Sequence, residues 1–267
     1  MSLNRNYLYP LVNCKILMRH RLSLIALSLV MLFSCSDKKE EFPTEALSEY
    51  FPLEPGKSIT YRIDSTVFTN FQRDVEVHSY QVKHVVDAET VDNLNRPTYR
   101  IYRFLRNADG TGEWINNGSY FVTPLFDRVE VIEDNLRFIK LHAPLREGYN
   151  WKGNSYLHLD PYSSYKFTSF GYMRNWDYNY DSFNSSFEYE NQVYNDVWTV
   201  EHENFGDNYP VTEAARPGGM TRSVEHYAKN IGLVHKEYAI IEYEPNTSGP
   251  EPYYRGFGIT MWMIDHN

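Results

Sequence analysis

The sequence predicts an all-β domain formed by a single antiparallel meander, and three observations lead to this prediction. Short segments alternate apolar and polar residues, as in Ser58-Ile59-Thr60-Tyr61-Arg62-Ile63-Asp64. Pairs of Asn or Asp with Gly, which accept the positive φ of tight hairpins, separate such segments. Aromatic residues make up 16% of the chain, and flat side chains cover a pleated surface well.

The alternating segments place the strands in order along the chain. The strand candidates are 58–64, 75–82, 98–104, 118–122, 128–132, 136–141, 187–189, 193–201, 232–243 and 257–265. Turns are predicted at Asp109-Gly110, Asn117-Gly118 and Glu133-Asp134-Asn135. Helix signals are few, so we expect at most one or two short helices. The candidate is 221–229, with Thr221 as its N-cap.

Ahead of the strands lies a pattern typical of export. An apolar run from Leu22 to Phe33 follows Arg19 and Arg21, and it is shorter than the roughly 20 residues that a membrane-spanning helix needs. We therefore expect residues 1–34 to be a signal peptide, with Met18 as its natural start.

The end of this run resembles the lipobox of bacterial lipoproteins through Leu32, Ser34 and Cys35. The resemblance implies that Cys35 becomes the new N-terminus and is lipidated. Two or more acyl chains, such as palmitate, anchor a protein stably to a membrane. The charged residues after Cys35 predict a flexible tether over 35–48, followed by a single β-domain over 49–267. The tether is similar to those of Bacteroidota lipoproteins, which implies lipid anchoring in the outer membrane, on its outer or its periplasmic face.

Charge and cysteine content exclude several classes of function. The 26 Lys and Arg face 35 Asp and Glu, and four of the basic residues lie before Cys35, where there is no acid. The remaining excess of acid argues against nucleic acid as a partner. The other cysteine, Cys14, would leave with the signal, so thiol chemistry and disulfides are excluded from the expected mature domain.

Two segments share the form Pro-Leu-x-x-Gly: Pro52 to Gly56 and Pro144 to Gly148. Each predicts a chain entry fixed by Pro, a Gly at positive φ and then a strand. Together with Val193-Tyr194-Asn195-Asp196-Val197, they resemble uncharacterised bacterial β-rich lipoproteins. The resemblance implies a curved sheet or open barrel, as in lipoprotein carriers and lipocalin-like proteins, and it implies no chemistry.

Motifs of the common enzyme classes are absent from the sequence. It contains no Gly-x-Ser-x-Gly, no Gly-x-x-x-x-Gly-Lys and no His-Glu-x-x-His. The eight histidines after the predicted signal have no ligand spacing. We therefore expect a non-enzymatic protein without a cofactor.

One local pattern resembles a calcium loop: Asp177, Asn179 and Asp181 alternate, and Glu188 stands at the twelfth position. Ser182 replaces the Gly of the sharp turn, and no amphipathic helix flanks the segment. The alternative interpretation is an aromatic and acidic hairpin loop.

The segment 172–198 concentrates aromatic side chains among Asn and Asp. Trp176, Tyr178 and Tyr180 are therefore candidates for stacking on sugar rings, which defines a glycan-binding surface module. The alternative is that these rings pack in the sheet core, and exposure distinguishes the two.

Two further hypotheses concern the sheet. A curved sheet can enclose an apolar cavity for a hydrophobic ligand. Ser65 and Thr66 follow Asp64 in a short pattern of O-glycosylation in exported Bacteroidota proteins.

Together these patterns predict a lipid-anchored envelope protein that serves in binding or in envelope assembly. Its expected partners are the membrane, through the anchor, and an envelope protein or a glycan. The alternatives are the glycan-binding module and a carrier of a hydrophobic ligand.

Overall fold

The computed structural model describes residues 45–168, 173–246, 249 and 251–267. They form twelve antiparallel strands in one sheet, which confirms the all-β prediction. The strands are β1 (Ser58–Thr69), β2 (Asp74–Val91), β3 (Pro97–Asn107), β4 (Ile115–Pro124), β5 (Arg128–Glu133), β6 (Leu136–His142), β7 (Asn150–Trp151), β8 (Tyr178–Tyr189), β9 (Gln192–Asp207), β10 (Gly218–Ala228), β11 (Gly232–Glu244) and β12 (Tyr253–His266). A one-turn helix, α1 (Leu47–Tyr50), and two 3₁₀ turns, Ser163–Tyr165 and Met173–Asn175, complete the described elements.

The sheet is a meander that curls back on itself. Its order is β6-β5-β4-β3-β2-β1-β12-β11-β10-β9-β8-β7, so the first and last strands of the chain pair in the middle. The two sheet edges, β6 and β7, are consecutive in sequence and meet through a few bonds. The N–H of Ile139 donates to the carbonyl of Gly153 at 2.8 Å, and the Trp151 indole donates to the carbonyl of Ile139 at 2.9 Å. The result is a nearly closed barrel.

The predicted helix over 221–229 is wrong, because these residues belong to β10. This strand pairs with β9 on one side and with β11 on the other. From Ser223 to Ala228 both of its faces are buried. Buried polar residues such as Ser223 and Glu225 occupy the inner positions, which removes the apolar alternation that marks a strand.

The predicted turn at Asn117-Gly118 is also wrong. Gly118 has a φ of +86°, but it lies inside β4, where the pairing with β3 shifts register. The positive φ thus serves a β-bulge instead of a hairpin. At β5–β6 the predicted turn is confirmed, with Asp134 and Asn135 both at positive φ.

Both Pro-Leu-x-x-Gly segments have the predicted geometry. Gly56 has a φ of +92° and precedes β1, and Gly148 has a φ of +74° and precedes β7. An added Cβ would meet nothing within 4 Å at either glycine. Glycine is therefore favoured at these positions by the positive φ of the backbone, and not by a lack of space for a side chain.

Part of the segment 35–48, which the sequence predicts to be a flexible tether, packs against the sheet. Leu47 and Tyr50 of α1 are buried, and Lys229 forms an ion pair with Glu45 at 2.5 Å. Glu45 and Leu47, which fall in the range predicted to be a tether, are thus in contact with the β-domain. Among the described residues, no helix has the length and apolar character needed to cross a membrane.

Candidate functional site

The inner face of the barrel encloses a cavity of about 480 Å³. Pockets for small ligands typically measure about 300–1,000 Å³. Apolar side chains from adjacent strands supply most of the wall, among them Ile59, Ile63, Val82, Ile101, Ile259 and Met261. The side chain of Asp134 at the β5–β6 turn is 72% exposed and also borders the cavity, so the cavity reaches the surface there.

Strand register determines which residues face this cavity. One row of directly paired residues runs across five strands: Ile63 on β1, Met261 on β12, Lys236 on β11, Glu225 on β10 and Val200 on β9. Directly paired residues of neighbouring strands project to the same side of the sheet, so the members of this row all point inward. Of the members that border the cavity, Ile63 and Met261 are apolar and Lys236 and Glu225 are charged, so the cavity wall has two chemical regions.

Glu225 is the centre of the charged region. Lys140 donates to its Oε1 at 2.7 Å, and the Nζ of Lys236 lies 3.5 Å from the same oxygen. The Tyr227 hydroxyl donates to Oε2 at 2.7 Å, and His202 Nε2 lies 3.4 Å from Oε2. The carboxylate is 2% exposed, so these neighbours replace water around it.

Strand alternation brings Lys140 into the cavity, because Leu136 and Phe138 of the same strand border it as well. A β-bulge lies at this point: Val129 faces Leu141 and Glu130 faces Ile139, which leaves Lys140 as the extra residue of β6. The side chain of Lys140 borders the cavity and crosses it to reach β10.

The cluster fixes the charge states of its members. Burial would raise the pKa of Glu225, but Lys140, His202 and Lys236 hold it well below its usual value. Burial lowers the pKa of Lys140. Burial also disfavours the charged form of Lys236, yet attraction to Glu225 and Glu133 leaves the pKa of that lysine raised. Glu225 is thus an anion with two ammonium neighbours.

The histidines of the cavity are neutral. Burial lowers the pKa of His202 to about 4 and that of His84 to about 3. His202 Nδ1 lies 2.8 Å from the Ser223 hydroxyl, and the 3.4 Å contact of His202 Nε2 with Glu225 is long for a hydrogen bond. The Tyr120 hydroxyl lies 3.1 Å from His84 Nδ1.

A separate group of charges lies at the rim. Arg103 pairs with Glu133 at 2.6 Å and with Asp134 at 3.2 Å. This arginine is thus bound by carboxylates of the β5–β6 turn. The ion pairs at the rim are more exposed than the Glu225 cluster, so solvent screens them more strongly.

The glycan-contact hypothesis for Trp176, Tyr178 and Tyr180 is corrected by burial. They are 7%, 2% and 0% exposed and belong to the apolar core. Tyr180 donates to the carbonyl of His142, and the Tyr178 hydroxyl donates to Asn154 at 2.7 Å. These rings have no free face on the outer surface for a sugar, although Tyr178 borders the inner cavity.

The calcium-loop hypothesis is also wrong. Asp177 precedes β8, and Asn179, Asp181 and Glu188 all lie on this extended strand. At about 3.3 Å per residue, a strand places its first and twelfth residues more than about 30 Å apart, so they cannot share one ion. Asp177 instead pairs with Lys152 at 2.7 Å. Across the described ranges, no group of three or more His, Cys, Asp or Glu side chains is arranged to hold a metal.

The other predicted sites are placed as follows. Ser65 and Thr66 lie on β1, where both are partly buried, and Ser65 borders the cavity. Their O-glycosylation stays a prediction. Cys35 lies outside the described residues, and its lipidation stays a prediction as well.

The sequence patterns did not single out Lys140, Glu225 or Lys236. Both lysines carried a signal, since each lies in a predicted strand: Lys236 alternates with Tyr238 and Ile240, and Lys140 alternates with Leu136 and Phe138. Glu225 fell in the mistaken helix.

No protein-family model and no curated protein matches the chain. Among solved structures it is similar to a candidate exported protein with a YmcC-like fold from Bacteroides fragilis, at 11% identity and a TM-score of 0.39, covering 81% of this chain and 97% of that chain. It is also similar to a DUF1329 family protein from Desulfovibrio piger, at 11% identity and a TM-score of 0.20, covering 82% and 88% of the two chains. Neither similarity identifies a family or a function.

Proposed function

We propose that this protein is a non-enzymatic, lipid-anchored component of the cell envelope that binds a hydrophobic ligand inside the barrel. The observation that carries the proposal is the cavity of about 480 Å³ with a largely apolar wall. Large side chains could have filled the barrel interior, as they do in many small barrels. The carrier hypothesis required such a void, whereas the aromatic rings of the glycan-binding hypothesis are buried.

Burial of an apolar ligand in this cavity is favoured by the hydrophobic effect. Each Å² of apolar surface removed from water contributes about 25 cal/mol. Strands β1, β2 and β12 provide a largely apolar wall, on which Ile63, Val82 and Met261 are examples. A chain of methylene groups fits this surface without requiring any hydrogen bond from it.

A fluorescent apolar probe, N-phenyl-1-naphthylamine, tests ligand binding. We expect saturable binding with increased fluorescence. The substitution Ser65→Trp, which introduces a large ring at the cavity wall, should reduce binding strongly. Ser186→Trp places the same ring at an exposed position of β8 and should leave binding unchanged. Absence of saturable binding, or an equal loss in both variants, would show that the cavity is not a ligand site.

The anchor is a separate part of the proposal and depends on Cys35. Cells grown with radiolabelled palmitate should label the wild-type protein and should not label Cys35→Ala. The wild type should sediment with outer-membrane fractions, and the variant should not. Equal labelling of the two proteins would contradict anchoring through Cys35. Protease digestion of intact cells then reports on which face of the outer membrane the domain lies.

A further inference from the structure

The charges inside the cavity are unequal in number. Lys140 and Lys236 both border it, and both approach the same oxygen of Glu225. One buried carboxylate thus faces two ammonium groups. An ion removed from water needs a partner of opposite charge, and the Glu225 cluster supplies one anion for two cations.

The other two carboxylates that border the cavity do not neutralise the second lysine beside Glu225. Glu133 and Asp134 contact Arg103 at the rim, and Asp134 is largely exposed. Glu133 attracts Lys236 but makes no ion pair with it within 4 Å among the described residues. Among the described residues, Glu225 is therefore the carboxylate that makes direct contact with both lysines.

The lysines also retain donors for a ligand. An ammonium group carries three N–H donors. Lys140 uses one of them on Glu225, and Lys236 makes a 3.5 Å ion-pair contact with that residue. Each ammonium group also lies over an aromatic ring, Lys140 over Phe138 at 5.0 Å and Lys236 over Tyr238 at 5.5 Å. Among the described residues, no hydrogen-bond acceptor takes the remaining donors.

The charged region adjoins the apolar region directly. Met261 is the cross-strand neighbour of Lys236, and Ile63 is the neighbour of Met261 on the next strand. A ligand that contacts the lysines can therefore extend its apolar part along β12 and β1 without crossing other charges in this row. This arrangement fits a molecule with a charged end and an apolar chain.

We propose that the ligand is a single-chain amphiphile with an anionic head group, a carboxylate or a phosphate monoester, held by Lys140 and Lys236. The inference rests on the proposed function, since it names the class of ligand for the same cavity. Charge-assisted hydrogen bonds from the two ammonium groups would hold the head, and the apolar wall would cover the chain.

Competition against N-phenyl-1-naphthylamine tests the charge preference with ligands of equal chain length. Hexadecanoic acid, hexadecyl phosphate, hexadecanol and hexadecyltrimethylammonium are compared below their micelle-forming concentrations. We expect the acid or the phosphate to displace the probe at least about 10-fold more effectively than the alcohol. The cation should be the weakest competitor. The ratio between acid and phosphate identifies the preferred head group.

Removal of the charged cluster as a unit tests the assignment to these lysines. The triple variant Lys140→Met/Glu225→Gln/Lys236→Met removes the cations together with their anion, so that no buried charge is left unpaired. We expect it to bind the probe but to lose the preference for acid over alcohol. Lys236→Gln, in which Lys140 still neutralises Glu225, should lower the preference partially and serves if the triple variant does not fold. Lys152→Met, at an exposed ion pair outside the cavity, is the control.

The outcomes separate the two proposals. Lack of probe binding would overturn the function itself. Probe binding with equal displacement by acid and alcohol would overturn the anionic head group and leave the cavity as a site for neutral ligands. A preference that persists in a folded triple variant, or in Lys236→Gln at full strength, would overturn the role of these lysines.

Discussion

The Lys140 ammonium donates a 2.7 Å hydrogen bond to Glu225, a residue that lies 85 positions further along the chain. Lys140 belongs to β6, at one edge of the sheet, and Glu225 belongs to β10. In sheet order, seven strands separate the two residues. The bond therefore exists only because the sheet curls, and it connects the edge strand β6 with β10 at the cavity.

Loss of the buried anion should destabilise the protein strongly. Glu225→Gln leaves two lysines without their shared carboxylate, and breaking a buried ion pair from one side costs about 3–5 kcal/mol. Urea unfolding measures the change. Glu237→Gln removes a partly exposed partner of Arg222 and should cost less than about 1 kcal/mol. Similar losses in both variants would contradict the central role of Glu225.

Truncation of a predicted glycan-contact residue should affect folding. Tyr178 is 2% exposed and stacks on His202 with ring centroids 3.7 Å apart. Tyr178→Ala should lower the free energy of unfolding by about 3–5 kcal/mol, as measured by chemical denaturation. Phe126→Ala, at a fully exposed ring, should change it by less than about 0.5 kcal/mol. A stable Tyr178→Ala protein would show that this ring does not contribute to the core.

Four buried histidines should make the protein sensitive to mild acid. Burial lowers the pKa of His84 and of His226 to about 3, and that of His202 and of His235 to about 4. Between pH 6.5 and pH 4, the unfolded chain therefore binds protons at these positions that the folded protein does not bind. The histidines therefore make their full contribution to the free energy of unfolding above about pH 6.5. This free energy decreases as the pH falls, by up to about 1.4 kcal/mol per pH unit for each histidine.

The pair of His226 and His235 provides the sharpest test of this pH dependence. Their Nδ1 atoms lie 3.1 Å apart, so one ring must donate and the other must accept. Protonation of both would place two donors against each other. In His235→Asn, the slope of unfolding free energy against pH should decrease between pH 6.5 and pH 4.5. His158→Asn, at an exposed histidine, should retain the wild-type slope. An unchanged slope in His235→Asn would mean that His235 takes up protons in the folded state as readily as in the unfolded chain.

One glycine of β12 should not tolerate a side chain. Gly256 has a φ of +108°, and an added Cβ would overlap the carbonyl oxygen of Ile240 on β11. Gly256→Ala should therefore destabilise the protein by about 2 kcal/mol or more, measured as a lower midpoint of thermal unfolding. At Gly206 on β9 nothing lies within 4 Å of the added Cβ, so Gly206→Ala should have little effect. Equal midpoints for the two variants would contradict the backbone geometry at Gly256.

The fold class, most strands and several turns could be predicted from the amino-acid sequence, because these depend on local alternation and on residues that accept positive φ. Asp134 and Asn135 form the turn between β5 and β6, and Gly56 and Gly148 have the φ that their motif predicts. The export and lipidation signals are likewise local patterns, which end at Cys35. The cavity and its charges could not be predicted in this way, because they arise from tertiary packing. Glu225 lies on a strand buried on both faces, which has no alternation to detect, and no local pattern in β6 shows that Lys140 meets it. Their contact depends on the curl of twelve strands, a long-range property that local residue patterns do not encode.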